Sequence, residues 1–167
     1  EFLSNFNSIR GQLPVHATSN MPGKALLYYL FAPWITSNKD IIAIILLFIS
    51  NIGGVLLYFI CRFFSNDRRV GTVAMICYWL YPARIYYFPI LNAITPVFLL
   101  LSFYRFLRAL VKTSFLRLAL AGFSLFILFL FEPIPFICGL FYLLSCWFLL
   151  RNKQTTVSHI LKTCVGI

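Results

Sequence analysis

Few side chains in this sequence can do chemistry, and they gather in three places. The 167 residues include four carboxylates (Glu1, Asp40, Asp67 and Glu132) and two histidines. The stretch HATSNMPGKALLYYL, residues 16–30, holds His16, Asn20 and Lys24 around a Pro22–Gly23 turn. A second polar stretch, YPARIYYFPILNAITP, residues 81–96, holds Arg84, Tyr86, Tyr87 and Asn92. Glu132 stands in a later EPIP segment. A lysine just after a Pro-Gly turn, at the start of a helix, suits the holding of an anion. Proline sets the backbone, glycine admits a close approach, and the free N–H groups of a helix start add partial positive charge. Each residue also has a plainer role. His16 reads equally as a solvated loop histidine, Arg84 as an anchor reaching to an interface, and Tyr86 and Tyr87 as members of an aromatic belt. Glu132 reads as a hairpin tip facing water; buried, it needs a cation, and Arg84 is the candidate.

The elements that would carry these residues are strongly apolar. The chain is 61% hydrophobic and 11% charged, and its mean hydropathy is +0.89. Those values belong to integral membrane proteins. Nineteen Phe, nine Tyr and three Trp suit lipid contact and interfacial belts. The net charge of +10 comes from cations that punctuate apolar runs. That pattern argues against nucleic acid, which calls for a basic face. The five cysteines include no CxxC pair, and four lie in apolar runs. They read as small apolar residues, neither disulfides nor metal ligands.

The fold expected is all-α: a polytopic transmembrane helical bundle with an interfacial juxtamembrane helix and broken or short helices. Residues 41–61 carry no charge and give a helix of about 31 Å, enough for the hydrocarbon core. Ser50, Asn51, Gly53 and Gly54 fall mid-span, where small residues let another helix approach. A second span begins near 70 and runs to about 81, about 18 Å before Pro82, so it either continues through a kink or ends in a polar pocket below the interface. Thr95–Pro96 has the form of an N-cap and first-turn proline for a third span, 95–112. Residues 118–131 and 136–150 form a short pair around Glu132. Ahead of all these, residues 25–35 read as an interfacial helix stopped by Pro33. The expected division is an extracytoplasmic loop over 1–24, the interfacial helix over 25–35, a helical module over 40–153, and the start of a further segment over 154–167. The opening lacks the build of a signal peptide, and the chain reads as an internal fragment of a longer protein.

Charge sets the expected orientation. The connections 62–69, 105–117 and 151–162 hold ten Lys and Arg, against four elsewhere: Arg10, Lys24, Lys39 and Arg84. The positive-inside rule places the ten in the cytoplasm. His16, Asn20, Lys24, Arg84, Asn92 and Glu132 then share the extracytoplasmic face.

The order of parts resembles that of the GT-C-fold glycosyltransferases, particularly relatives of dolichyl-phosphate-mannose protein mannosyltransferase. A polar loop leads to NMPGKALLYYLF, then to a span ending in LLYFICRFF. YPARIYYFPILNAITPVFLLLSFYRFL and LALAGFSLFILFLFEPIPFICGLFYLL follow. The resemblance covers roughly residues 12–150 and lies in order and spacing. In that family a His-Pro-Pro motif, often with a following glycine, opens the juxtamembrane helix. Pro22 and Gly23 match its second proline and glycine; Asn20 stands where the histidine is usual and Met21 where the first proline is. His16 is the histidine at hand, four residues earlier. Asn92 falls where family members often carry an acid.

The resemblance implies a sugar transferase in a bacterial-type plasma membrane or an endoplasmic reticulum membrane. Its donor is a polyprenyl-phosphate-linked sugar and it acts at the extracytoplasmic face. It also implies a catalytic acid in a loop upstream of residue 1, so no catalytic residue is assigned within this chain. Donor-phosphate binding would fall to His16, Asn20, Lys24 and Arg84, with Pro22 and Gly23 forming the turn. Tyr86, Tyr87, Asn92 and Glu132 would line the site or the groove for the isoprenoid tail. No cofactor motif is present, and a divalent metal in the full-length protein is compatible with the family. The partners implied are the lipid bilayer, the donor and an acceptor, with no nucleic acid. A transporter or channel module, or a non-catalytic membrane scaffold, are the alternatives. The first would want a repeat and midplane charges.

Orientation is directly testable. With the native cysteines replaced, Asn20→Cys should react with a membrane-impermeant thiol reagent from outside. Asn66→Cys should react only after the cytoplasmic side is opened. The reverse pattern would invert the assignment of every residue named above.

Overall fold

The computed structural model describes residues 38–82, 91–112, 114–132, 135–152 and 160, together with residues 23, 24, 26, 27, 30 and 31. The described residues are helical, with short connections. Five α-helices follow in order: α1 (Lys39–Ser65), α2 (Arg68–Trp79), α3 (Thr95–Val111), α4 (Phe115–Phe131) and α5 (Pro135–Arg151). A 3₁₀ turn, Leu91–Ile94, leads into α3.

Local chemistry fixes the helix ends. The Asn38 side chain accepts from the Asp40 N–H, capping α1. At its other end Asn66 takes a left-handed conformation, φ 55°, one that asparagine tolerates better than most residues. Asp67 then caps α2 by accepting from the Arg69 N–H at 2.8 Å. Two residues therefore suffice to reverse the chain. Ser114 caps α4, accepting from the Arg117 N–H.

The α1–α2 hairpin closes on small residues. Tyr78 and Trp79 of α2 lie against Gly53 and Gly54 of α1, where any Cβ would collide with the Tyr78 hydroxyl and the Trp79 indole nitrogen. Those two groups donate to the backbone carbonyls of Ser50 and Asn51, at 3.2 and 3.1 Å. Further along, Gly71 rests on Tyr58. The mid-span glycines thus face protein, as their clustering predicts.

Helix α3 touches most of the rest. Its start belongs to a cluster of Phe31, Ile42, Leu46 and Ile94, with Leu27 and Phe98 at the edge. Its end joins Phe106 and Leu110 to Leu149 of α5. Between them Phe106 stacks on Tyr142, centroids 4.3 Å apart, and Ser102 shares a hydrogen bond with the Tyr142 hydroxyl. Phe98 meets Phe131, so α4 runs antiparallel to α3, while α5 runs parallel to it. The helices alternate in direction through the chain. One end of the array collects the starts of α1, α3 and α5 and the close of α4. The other collects Arg62, Arg68, Arg69, Arg105, Arg108, Lys112, Arg117 and Arg151.

Two helical stretches, Asp40–Ser65 and Asn92–Val111, are long and apolar enough to cross a membrane; Phe115–Phe131 and Cys138–Arg151 are shorter and apolar. Large apolar side chains stand outward: Phe48 is 70% exposed, Phe123 62% and Leu143 70%. Hydroxyls turn inward to their own helix. Ser50, Ser124 and Ser145 donate to the carbonyls of Leu47, Ala121 and Phe141, which satisfies them without water.

Some expectations need correction. Thr95 is not the N-cap of α3. Ile94 holds that position, without a side-chain bond, because the 3₁₀ turn already delivers the chain in helical geometry. Helix α4 starts at Phe115, three residues before the apolar run, because Ser114 supplies the cap. Residues 23, 24, 26, 27, 30 and 31 are helical and belong to an early helix, whose Phe31 packs into the first cluster.

The glycine contacts generate a stability prediction. Gly53→Val should lower the thermal stability of the full-length protein in detergent by about 2 kcal/mol, through overpacking against Tyr78. Gly139→Ala meets nothing within 4 Å. It should be neutral or stabilising by up to about 1 kcal/mol, from helix propensity alone.

Candidate functional site

A lysine buried among apolar helices needs a carboxylate. Lys24 finds one 108 residues away, donating from Nζ to Glu132 Oε1 at 2.6 Å. Its side chain is 8% exposed and that of Glu132 22%. The Thr95 hydroxyl lies 3.5 Å from the same oxygen, at the outer limit of a hydrogen bond. Three elements therefore meet at one charge pair: the early helix, the start of α3 and the close of α4. Among the described residues it is the one salt bridge.

Each partner is placed by local structure. Glu132 is the residue after α4, and its own N–H donates to the Leu128 carbonyl. Thr95 opens α3 directly after the 3₁₀ turn, so its hydroxyl is available for Glu132. Lys24 arrives through Gly23. A Cβ at Gly23 would stand 2.5 Å from the Leu130 carbonyl oxygen and 2.9 Å from the Phe131 ring. The close approach that glycine permits here is to the backbone of α4.

Of the residues singled out from sequence, Lys24, Gly23 and Glu132 come together. Glu132 is not a water-facing hairpin tip: it is largely covered, and its partner is Lys24. Asn92 is exposed on the 3₁₀ turn, three residues before Thr95 and at the same end of the array. His16, Asn20, Pro22, Arg84, Tyr86 and Tyr87 lie outside the described residues. Thr95 is the member that sequence reading assigned to capping alone. Its place opposite Glu132 follows from the antiparallel pairing of α3 with α4, which no local pattern reveals.

An open apolar hollow of about 440 Å³ lies elsewhere, toward the basic end, lined by Phe64 of α1, Phe103 of α3, and Phe141, Leu144, Trp147 and Phe148 of α5, with Ser145.

The pair makes a quantitative claim on stability. Lys24→Met leaves Glu132 uncompensated and should destabilise the full-length protein by about 3 kcal/mol, read as thermal unfolding in detergent. Glu132→Gln should cost a similar amount. The double variant Lys24→Met/Glu132→Leu should recover most of the loss, because replacing both charges removes the penalty. Additive losses would show that the two charges do not interact.

No protein-family profile, no curated protein and no solved structure matches this chain.

Proposed function

We propose that the chain is part of a multi-pass membrane glycosyltransferase that moves a sugar from a polyprenyl-phosphate donor at the extracytoplasmic face. The observation that carries the reading is the Lys24–Glu132 pair beside Thr95, at the end of the array away from the basic connections. The order of parts shared with GT-C-fold transferases supports it, and so do the two helices apolar enough to span. Sugar transfer forms a bond from an acceptor oxygen to the sugar's anomeric carbon and breaks the carbon–oxygen bond to phosphate. The phosphate leaves with the electron pair, so it needs a cation at that moment. Lys24 is that cation. Glu132 holds it in place before the donor arrives and yields it to the phosphate oxygens. His16 and Asn20, which precede Lys24 in the sequence, are the further anion ligands this reading proposes.

A second reading has its own observation. Glu132 already balances Lys24, and α4 already fills the approach that Gly23 opens. Both features suit a staple in a non-catalytic scaffold.

One experiment separates the two. The full-length double variant Lys24→Met/Glu132→Leu regains stability under either reading. In the transferase it should remain at least about tenfold slow at limiting polyprenyl-phosphate sugar, having lost a charge-assisted anion contact worth ~1.5–3 kcal/mol. Asn20→Ala should slow transfer without unfolding the protein. Wild-type transfer by both variants would leave the staple as the sole role of the pair.

A further inference from the structure

The opposite end of the array carries a second polar feature, unrelated to Lys24. Tyr104, Arg105 and Arg108 of α3 and Arg117 of α4 line one pocket of about 190 Å³. Three arginines thus border a common space, and among the described residues no carboxylate lines it. Among the described residues the acids are accounted for elsewhere. Asp40 stands in the first turn of α1, Asp67 caps α2, and Glu132 pairs with Lys24. Like charges held together without a counter-charge repel one another, and an anion between them removes the cost.

Position adds to this. Arg117 lies in the first turn of α4, beside the positive end of the helix dipole, where a cation is unfavourable. No acid sits in that turn to offset it. Arg117 also donates to the Lys112 carbonyl at 3.3 Å, which draws its guanidinium back toward the α3–α4 connection. The N–H groups of Phe115 and Leu116, which the Ser114 cap does not engage, favour an anion as the arginines do.

The surroundings say which anion. Next to Arg117 in sequence, Phe115 is 89% exposed and Leu116 67% exposed; Val111, at the close of α3, is 50% exposed. A pocket of arginines flanked by outward apolar side chains, at the end of apolar helices, matches a phosphate ester joined to hydrocarbon chains. Free phosphate has no use for the apolar flank. We infer that the Tyr104–Arg105–Arg108–Arg117 pocket binds the phosphate headgroup of an anionic phospholipid, its chains lying on Phe115 and Leu116. Guanidiniums bind phosphate oxygens in bidentate fashion, and the Tyr104 hydroxyl supplies a further donor. Basic pockets between membrane helices on the cytoplasmic side hold anionic headgroups in this manner. The inference rests on the membrane placement proposed above, not on sugar transfer.

The test uses the full-length protein in detergent and short-chain phosphatidylglycerol as the probe, with phosphatidylcholine and inorganic phosphate as comparison arms. Phosphatidylglycerol should bind at least tenfold more tightly than either. Arg105→Gln/Arg108→Gln/Arg117→Gln should abolish that preference, and Arg117→Gln alone should weaken binding several-fold. Arg117→Lys keeps the charge but loses the planar fork, and should fall between. Arg68→Gln/Arg69→Gln removes two charges at the same end and should leave binding unchanged. Equal loss in that control would show a diffuse surface effect and overturn the site. Inorganic phosphate competing as well as the lipid would overturn the lipid assignment. Should the triple variant fail to fold, unchanged binding by Arg117→Gln would overturn the site by itself.

Discussion

A buried ammonium group must have a carboxylate, and this chain has few to offer. Lys24 meets the requirement with Glu132, and the consequences run through one end of the structure. The early helix has to lie across the close of α4. That placement is possible only because Gly23 carries no Cβ against Leu130 and Phe131. Once there, Leu27 and Phe31 pack toward Ile42, Leu46 and Ile94, which joins the early helix to α1 and the 3₁₀ turn. Phe98 on Phe131 closes the same corner from the other side. A single polar contact therefore sets the position of a large apolar cluster. Its role is geometric as much as energetic, since a buried pair repays little beyond its own desolvation.

The remaining polar groups follow a different rule. Hydroxyls along the helices bond to carbonyls of the preceding turn, and the indole of Trp79 and the phenol of Tyr78 bond to carbonyls of α1. Each of these groups is satisfied within the protein, so the helices can present Phe48, Phe123 and Leu143 outward without stranding a polar atom among apolar neighbours. The mid-span glycines and the aromatic residues of α2 are two halves of one device. The glycines bring the backbone within reach, and the aromatic groups supply the donors.

Much of the helical layout was legible in the sequence. Charge-free runs and their basic punctuation located α1, α2, α3 and α5 to within a few residues, because apolar length and interfacial charge are local properties. The α1–α2 contact was legible in kind, since Ser50, Asn51, Gly53 and Gly54 fall together. Its partners Tyr78 and Trp79 were not, because register depends on the hairpin geometry at Asn66 and Asp67. The site was legible in part. Sequence marked Lys24 and Glu132 as unusual and asked for a cation beside a buried Glu132. It named Arg84, which lies outside the described residues; the partner described is Lys24. The pairing of residues 24 and 132 depends on where α4 ends relative to the early helix, and neither local pattern carries that information. Thr95 was assigned by its motif to a cap, and the 3₁₀ turn made the cap unnecessary.

The alternation of helix direction explains why the two ends differ so sharply in charge. At the basic end, α1, α3 and α5 terminate with Arg62, Arg108 and Arg151 in their last turns, where cations oppose the negative end of the dipole. Those three placements are favourable. Helices α2 and α4 begin at the same end, where cations are unfavourable. For α2 the penalty of Arg68 and Arg69 is offset by Asp67 at the cap. For α4 the cap is the neutral Ser114, and Arg117 stands in the first turn unopposed. The positive excess is thus uneven. It concentrates where α3 delivers Arg105 and Arg108 beside the start of α4. At the far end the reverse holds, since the cation that points inward has its acid within 2.6 Å. Among the described residues, the buried cation at one end is paired with Glu132, while the arginines around the start of α4 have no acid beside them.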